Sequence, residues 1–570
     1  MLKNASIVLA SAVMLTALPA SLARAQVVIA PSTPQIGSSN PVTAAPLVSR
    51  PSTKPCIVPL FTNLAFDNFT PASFNYTPPS DCKGPWAKVV FTADFTVSEG
   101  RQFDRTAAFY LGHASIYYGT TAEPRAALSP SWHVERDVTD LSAIFKSDQT
   151  GEANIGNFVG VSGGVTYNGI IYANAALEFY PASWRDRAPN VPDVVVPVNG
   201  TGGDAGTLNT TTDTISQTLN LPENVESVYL DVIAQNQSGD EFFYFCVPND
   251  QANNLLSCGN TAFRETEIAI DGKPAGVAPV YPWIFTGGID TALWEPIPGN
   301  QTLDFKPYRV NLTPFAGLLS DGNTHTVAIS VFNANSYFLA TANLLAYEDH
   351  NGRKVTGGVM ENTLSAAPDP TVDENIAFNS KTGDYTGSIS VGSKRSFAIK
   401  GYVNTSHGRV ETTVEQKIGF INTQEFDVNP VTEAQDLQNV QQNTTVDSYV
   451  TTRIGLFSRT SEEHFAYPLN LNYHFWIDAS GNELQNTSVD QKLTLTKVDR
   501  FFGIPDFASQ TVEETKAQDD INFTTGTTSN NATSQTYKYE DSRGGCYSET
   551  LTATNKVLTG VNKGCKHDHE

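Results

Sequence analysis

A chain of 570 residues is longer than one hydrophobic core organises, so roughly two to four domains are expected. The formal net charge of -23 gives a surface that repels nucleic acid and anionic membranes and suits work in acid, where carboxylates lose charge. Only 17% of residues are charged, 10% are aromatic, and Thr, Asn, Ser and Gly abound, which points to an extracellular all-β chain.

In chain order, Lys3 precedes an apolar run over 5–18 that is too short to span a bilayer comfortably, and Ala23-Arg24-Ala25 fits a small-x-small cleavage site. Residues 1–25 therefore read as a signal peptide cleaved after Ala25, and the protein is expected to be secreted or periplasmic. Residues 26–57, rich in Pro, Ser and Thr, read as a linker. Six cysteines in an exported chain suggest three disulfides, with 15 connectivities open. Pairing near neighbours gives Cys56 with Cys82, Cys246 with Cys258 and Cys546 with Cys565.

The first β-domain is expected over 58–188. A long strand over 86–97 ends at Gly100, and Gly100-Arg101-Gln102-Phe103-Asp104-Arg105 leads into an apolar strand over 107–111. A carboxylate beside a guanidinium at a strand mouth is costly to desolvate unless it is paired or used. It is therefore either an ion pair closing the strand or a working group. A short helical turn fits 140–146. Gly160-Val161-Ser162-Gly163-Gly164 matches the G-x-S-x-G pattern, but another strand follows instead of a helix, so it reads as a turn.

A second β-domain is expected over 189–352. Residues 225–234 alternate with period two and run into Gly239-Asp240-Glu241-Phe242, a second carboxylate pair beside an aromatic strand. The remainder, 353–570, reads as a further β-rich domain, with clear alternation over 409–421 and 469–477 and a modest helix candidate over 434–442. The tail 566–570 reads as frayed and solvated. No Cys/His spacing suggests a metal site, and no cofactor motif is present.

Asp104 and Glu241 thus stand at strand boundaries of adjacent β-units, whose junction makes a cleft suited to acid/base hydrolysis of a polar ligand. Spacing alone leaves glycoside and amide hydrolysis open.

The motifs around these residues resemble the PNGase A type of peptide-N-glycosidase, acidic amidases that remove N-glycans from asparagine. The resemblance rests on the Gly100–Arg105 stretch with Tyr110-Leu111-Gly112, Thr121-Ala122-Glu123-Pro124, and Gly239-Asp240-Glu241-Phe242 with Tyr244. It continues through Phe263-Arg264-Glu265, the run from Val280 to Asp290, Leu293-Trp294-Glu295-Pro296 and His407-Gly408-Arg409-Val410, covering roughly 80–560. A fainter similarity reaches the PNGase F enzymes. It implies two adjacent jelly-roll-like β-sandwiches followed by the C-terminal β-rich domain. That family's third acidic residue falls near Asn157, where this chain has no Glu, so Glu123 is the substitute.

The resemblance implies a cofactor-free, metal-free amidase, expected as a monomer, acting on N-glycosylated peptides or proteins. Asp104 and Glu241 are the expected catalytic residues. Arg105, Glu123, Asn157, Asp240, Tyr244, Arg264 and Trp294 are the expected substrate-binding set. The alternatives are a glycosidase acting on N-glycans and a non-catalytic glycan-binding protein.

Overall fold

The computed structural model describes residues 27–29, 33–123 and 125–565. The expected signal peptide 1–25, the tail from Lys566 and Pro124 lie outside the described residues.

The chain is almost wholly β, as its composition predicts. Near the N-terminus, Cys56–Phe66, Ile171–Pro181, Trp86–Val97 and Ser131–Asp137 pair in that order as one antiparallel sheet. Ala72–Tyr76, Gln149–Ile155, Thr106–Leu111 and Ala114–Thr120 form the facing sheet. Their inward residues build an aromatic core of Phe91, Phe95, Phe109, Tyr117 and Trp132, with the Phe95 and Trp132 rings stacked 5.1 Å apart. Truncating one such ring to Ala costs about 3–5 kcal/mol. The short helical turn is present as two 3₁₀ turns, Thr139–Leu141 and Ile144–Lys146. The Gly163-Gly164 pair turns a small hairpin between Gly160–Ser162 and Val165–Tyr167, both glycines at positive φ, so the G-x-S-x-G match is a turn.

A second sandwich follows. Val194–Val198, Tyr337–Glu348, Val225–Gln237 and Tyr308–Asn311 form one sheet, with Gly206–Leu208 added beside Tyr337–Glu348. Ile215–Leu219, His325–Phe332, Glu265–Ile270 and Lys273–Pro279 form the other. The two sandwiches touch where Gln235 Nε2 donates to Thr106 Oγ1 at 2.9 Å.

From Thr356 onward the chain forms one twelve-stranded antiparallel sheet, with strands of up to 21 residues such as Tyr385–Thr405 and Gly408–Val428. Among the described residues no second sheet covers it. Its inner face closes on the second sandwich, so Phe397, Ile399, Ile418, Val440 and Val446 share one core with Val228, Leu230 and Leu344. That inner face also carries buried amides: Asn422, Gln424, Gln438, Gln442, Gln491 and Gln535.

These amides explain one correction. The helix candidate over 434–442 is instead the start of strand Gln435–Ile454. Its inward positions Gln438, Val440, Gln442, Thr444 and Val446 do alternate, but buried amides stand where apolar residues would have shown the period.

The stretch expected as a linker has no helix or strand from 33 to 55, yet it is not a free tether. It is a strap. Gly37 donates its N–H to Leu558 O at 2.8 Å, Val42 to Pro296 O at 3.0 Å, Ala44 to Gln535 Oε1 at 2.6 Å and Val48 to Glu135 Oε2 at 2.9 Å. Proline limits the backbone to extended forms, which leaves its polar groups free to pair with neighbours. The three disulfides are those of near-neighbour pairing: Cys56–Cys82, Cys246–Cys258 and Cys546–Cys565.

Candidate active site

The site is assembled from three pieces of chain that meet where the sandwiches touch. The first is the approach to strand Thr106–Leu111. Gly100 has φ +139, and a Cβ there would lie 2.7 Å from Asn168 Oδ1, so this tight approach requires glycine. The buried Gln102 side chain then fixes the segment, its Nε2 donating to Phe158 O at 3.0 Å and Gly169 O at 3.1 Å. Asp104 follows, partly buried, with its carboxyl facing the second piece.

That second piece is the irregular stretch 280–307, which lies between both sandwiches and the C-terminal sheet. Gly287 donates its N–H to Asp104 Oδ2 at 2.8 Å, and Thr286 Oγ1 stands 3.4 Å from the same oxygen. Gly287 packs so closely that an added Cβ would lie 2.8 Å from Asp104 Oδ1 and 3.0 Å from Glu123 Oε2. Glu123 therefore belongs to the same cluster, and its Oε2 accepts the Asp104 backbone N–H at 2.5 Å.

The third piece delivers Glu241. Strand Val225–Gln237 runs out of the second sandwich into the 3₁₀ turn Ser238–Asp240, and Glu241 caps that turn. Asn236 Nδ2 donates to the Glu241 backbone carbonyl. Among the described residues, no protein hydrogen bond reaches the Glu241 carboxylate, which leaves it available to a ligand.

The electrostatics follow from crowding acids away from water. Burial pushes the Asp104 carboxyl above the usual carboxylate range, against the opposing pull of the Gly287 N–H, Thr286 and Arg105. Burial, then repulsion from Asp104, pushes Glu123 up to about 8 and Glu241 up to about 7. Glu123 and Glu241 therefore hold protons near neutrality beside a raised Asp104, the condition for acid/base work.

Arg105 forms no ion pair with Asp104 among the described residues. Its guanidinium donates to Gln102 Oε1 at 2.7 Å and stands 5.6 Å from the Phe103 ring centre, while its buried Nε has no partner. It still acts on both Asp104 and Glu123 as a nearby positive charge. A closing ion pair is therefore not what holds the carboxylate here.

Of the expected site residues, the structure brings together Asp104, Arg105, Glu123 and Glu241. Five others, Asn157, Asp240, Tyr244, Arg264 and Trp294, are buried, against the expectation of an open substrate-binding set, and contact other parts of the protein. Asn157 Nδ2 donates to Phe66 O at 2.9 Å and Gly169 O at 3.2 Å, bracing the wall behind Gln102. Asp240 and Arg264 form a buried ion pair at 2.8 Å, and Asp240 Oδ2 also accepts from Asn335 and Ser336 N–H, each at 2.8 Å. This arrangement rigidifies the turn that presents Glu241. Trp294 Nε1 donates to Gly288 O at 2.8 Å, holding the loop behind Gly287. Tyr244 is core, and its backbone carbonyl accepts from Asn422 Nδ2 at 2.9 Å.

Two features escaped the sequence reading. One is the Thr286–Gly287 donor pair, signalled by adjacent glycines inside an aromatic run, which marks a close backbone approach. The other is an aromatic shelf beside Asp104. Phe103 is 44% exposed and lies 5.3 Å from Tyr167, which neighbours Phe158 at 6.0 Å and Arg101 at 5.5 Å.

Among the described residues, one set of metal-capable side chains comes together, Glu226, Asp349 and His407, with ligand atoms within 4.8 Å of one another. It closes on itself. His407 Nε2 meets Glu226 Oε2 at 2.9 Å, while Asp349 accepts from Ser406 and Asn351. It latches the second sandwich to the hairpin around 405–408, away from the three carboxyls.

The family model described as peptide N-acetyl-beta-D-glucosaminyl asparaginase amidase A matches residues 49–365. The curated peptide-N4-(N-acetyl-beta-glucosaminyl)asparagine amidase A of Prunus dulcis is 29% identical over 462 residues, covering 77% of this chain and 78% of the relative. Among solved structures, PNGase F, a glycosylasparaginase from Flavobacterium meningosepticum, aligns at 15% identity and TM-score 0.34 over 52% of this chain and 96% of its own. PNGF-II aligns at 14% identity and TM-score 0.36 over 52% of this chain and 66% of its own. The matched region 49–365 contains every piece of the site, Asp104, Glu123, Glu241 and the Gly287 loop, and more than half of the sequence: the chain belongs to the peptide N-acetyl-beta-D-glucosaminyl asparaginase amidase A family.

Proposed function

We propose that the chain hydrolyses the bond between an asparagine side-chain amide and the first N-acetylglucosamine of an N-glycan, on glycopeptides or glycoproteins and in weakly acidic medium. The observation that carries this reading is that Asp104 and Glu123 meet at the Gly287 N–H while Glu241, with no protein partner at its carboxylate, stands near enough to Asp104 to feel its charge. Water adds to the side-chain carbonyl, the C–N bond breaks, and aspartate and a glycosylamine leave.

Asp104 is the acid/base at the amide, poised by burial and held in one orientation by Gly287. Glu123 fixes the Asp104 backbone and is itself pushed up to about 8 by burial and by Asp104. Glu241, with no protein partner at its carboxylate, places water or the first sugar. Arg105 supplies positive charge beside the oxyanion that develops on the carbonyl. The Phe103–Tyr167 shelf offers apolar ring faces to the sugars. Export is part of the same reading, since three disulfides persist in an oxidising compartment.

The test is mass spectrometry of a denatured N-glycoprotein treated with the purified chain. Glycan release with conversion of Asn to Asp supports the amidase. A reducing sugar with intact Asn identifies a glycosidase, and binding without turnover identifies a glycan-binding protein; either result overturns the reading.

A further inference from the structure

The loop that carries Gly287 is gripped from outside the family-matched region. Strand Thr527–Asp541 of the C-terminal sheet donates to its carbonyls: Asn531 Nδ2 to Ala292 O at 2.8 Å, Thr533 Oγ1 to Leu293 O at 2.8 Å and Gln535 Nε2 to Pro298 O at 3.1 Å. Those are ordinary amide and hydroxyl contacts. Beside them lies an unusual one. Asp519, on the neighbouring strand Ile504–Asn522, is 1% exposed, and neither carboxyl oxygen accepts a well-formed hydrogen bond. Asp290, in the loop, has Oδ1 occupied by the Ala292 N–H at 2.9 Å, while its buried Oδ2 lacks a donor. Strand Ile504–Asn522 packs on the 3₁₀ turn that Asp290 caps, and each carboxyl group acts on the other.

Two ionised carboxylates facing each other in a dry interface repel strongly. One proton between them turns the repulsion into a charge-assisted hydrogen bond. The other charges facing the pair do not remove the need for that proton. Lys556 acts on both acids from the turn beyond strand Cys546–Thr554, but its Nζ is 3.3 Å from Glu295 Oε2, an oxygen that Arg125 Nε also approaches at 3.4 Å. Asn531, the remaining polar neighbour, is neutral; it donates to Ala292 O, and its pull on the Asp519 carboxylate is weaker than burial and the charge of Asp290.

We propose that Asp519 is a positioning residue for the active site, holding a shared proton against Asp290 and so clamping the Gly287 loop to the C-terminal sheet. The path from Asp290 to Gly287 is short. Asp290 caps the 3₁₀ turn Thr291–Trp294 and donates its own N–H to Gly288 O at 2.7 Å, the same carbonyl that Trp294 Nε1 holds. A shift of Asp290 therefore moves a peptide only two along from the one that orients Asp104. Burial, then the charge of Asp290, pushes Asp519 up to about 7, so the clamp is closed in acid and opens as pH rises past neutrality. The inference rests on the reading of Asp104 as the group acting at the amide.

Two measurements on the full chain test it. The first is independent of activity: the thermal midpoint from pH 5 to pH 9, for wild type, Asp519→Asn and Asp519→Ala. Asparagine donates to Asp290 at every pH, so Asp519→Asn reduces the alkaline fall of the midpoint seen in wild type. An unchanged fall overturns the shared proton, whatever the enzyme's substrate. The second is turnover of a glycopeptide. Asp519→Ala lowers kcat at pH 5 by about 10-fold or more with KM nearly constant, because a small displacement far from the chemistry is enough to misplace a catalytic group. Asp519→Asn restores kcat, and its ratio of kcat at pH 8 to kcat at pH 5 exceeds that of wild type. Equal kcat in the alanine variant, or a wild-type pH ratio in the asparagine variant, overturns the coupling to the site. A wild-type chain that does not release glycans overturns the proposed function instead, and leaves the midpoint measurement to decide the pair.

Discussion

Gly287 and Asp104, 183 residues apart in sequence, meet through one backbone hydrogen bond of 2.8 Å, and the space between them admits no side chain. A main-chain donor is a precise way to orient a buried carboxyl, because it cannot rotate away as a side-chain donor does.

Gly287→Ala tests that relationship. Its Cβ would contact both Asp104 and Glu123, so one carboxyl must turn aside. Turnover is expected to fall by about 100-fold or more, while the thermal midpoint drops only modestly, because the displaced groups sit at a partly open site. Steady-state kinetics on a glycopeptide beside a melting curve is the check, and near wild-type kcat would remove Gly287 from the mechanism.

Asp104→Asn keeps the shape and still accepts from Gly287, but loses the ionisable group. Activity is expected to fall by about 100-fold or more, the lower end for an acid/base contribution. The midpoint at pH 7 is expected to hold or rise, since the change removes a group whose charge burial disfavours. Glu241→Gln is expected to behave alike, with a larger effect on KM if it meets the sugar. A large drop in midpoint with retained turnover would make Asp104 structural.

The raised acids also set a pH dependence. Glu123 and Glu241 move up to about 8 and about 7, above the unfolded carboxylate value of about 4.3. The stabilisation linked to their protons is full below that lower value and disappears as pH rises through about 7 to 8. Stability and turnover are therefore both expected to decline on the alkaline side. Melting curves and initial rates across pH 4 to 9 provide the measurement, and a midpoint that climbs from pH 5 to 8 would contradict the assignment.

The C-terminal sheet is expected to be indispensable to the site even though it supplies none of the three carboxyls. Gln491 Nε2 donates to Pro282 O at 2.7 Å, and its Oε1 accepts the Asn300 N–H at 3.0 Å. Gln491→Leu leaves both backbone groups buried and unpaired, at about 1–3 kcal/mol each. A lowered midpoint together with reduced kcat is the expected result, and a chain ending at residue 352 is expected to be insoluble and inactive. A soluble, active fragment would show that the sandwiches hold the 280–307 loop unaided.

The all-β class, the three disulfide pairs and the position of Asp104 and Glu241 beside strand ends were legible because each leaves a local trace: alternation, neighbouring cysteines, and acids at strand mouths. The buried supports were not. Asp240 and Arg264 carry the residue types of a binding site, and only their burial shows that they spend their charges on each other and on the turn before Glu241. Residues 434–442, the start of strand Gln435–Ile454, read as a helix candidate because inward Gln438 and Gln442 mimic surface residues. Their purpose appears only when the chain they hold is in place: Gln438 Nε2 donates to Leu255 O, 183 residues earlier in the chain. The burial of Trp294 and Tyr244, both in the expected substrate-binding set, was not legible because an aromatic looks the same in a motif whether it faces solvent or core.

The strap over 33–55 bears on how the molecule reaches its native state. Its Ala44 contact with Gln535 spans 491 residues, and Gly37 pairs with Leu558. A segment synthesised among the first must wait for strands synthesised among the last, so no N-terminal portion completes its own structure while the rest is still emerging. Contacts of such separation carry a large loop-closure cost before they return any stabilisation, which makes strap docking a late and slow event. Until then, the 12-stranded sheet leaves Ala553 and Leu558 without the Ala44 they bury. A full-length chain refolded from denaturant should therefore regain strand signal well before it regains protection at residues 37–48.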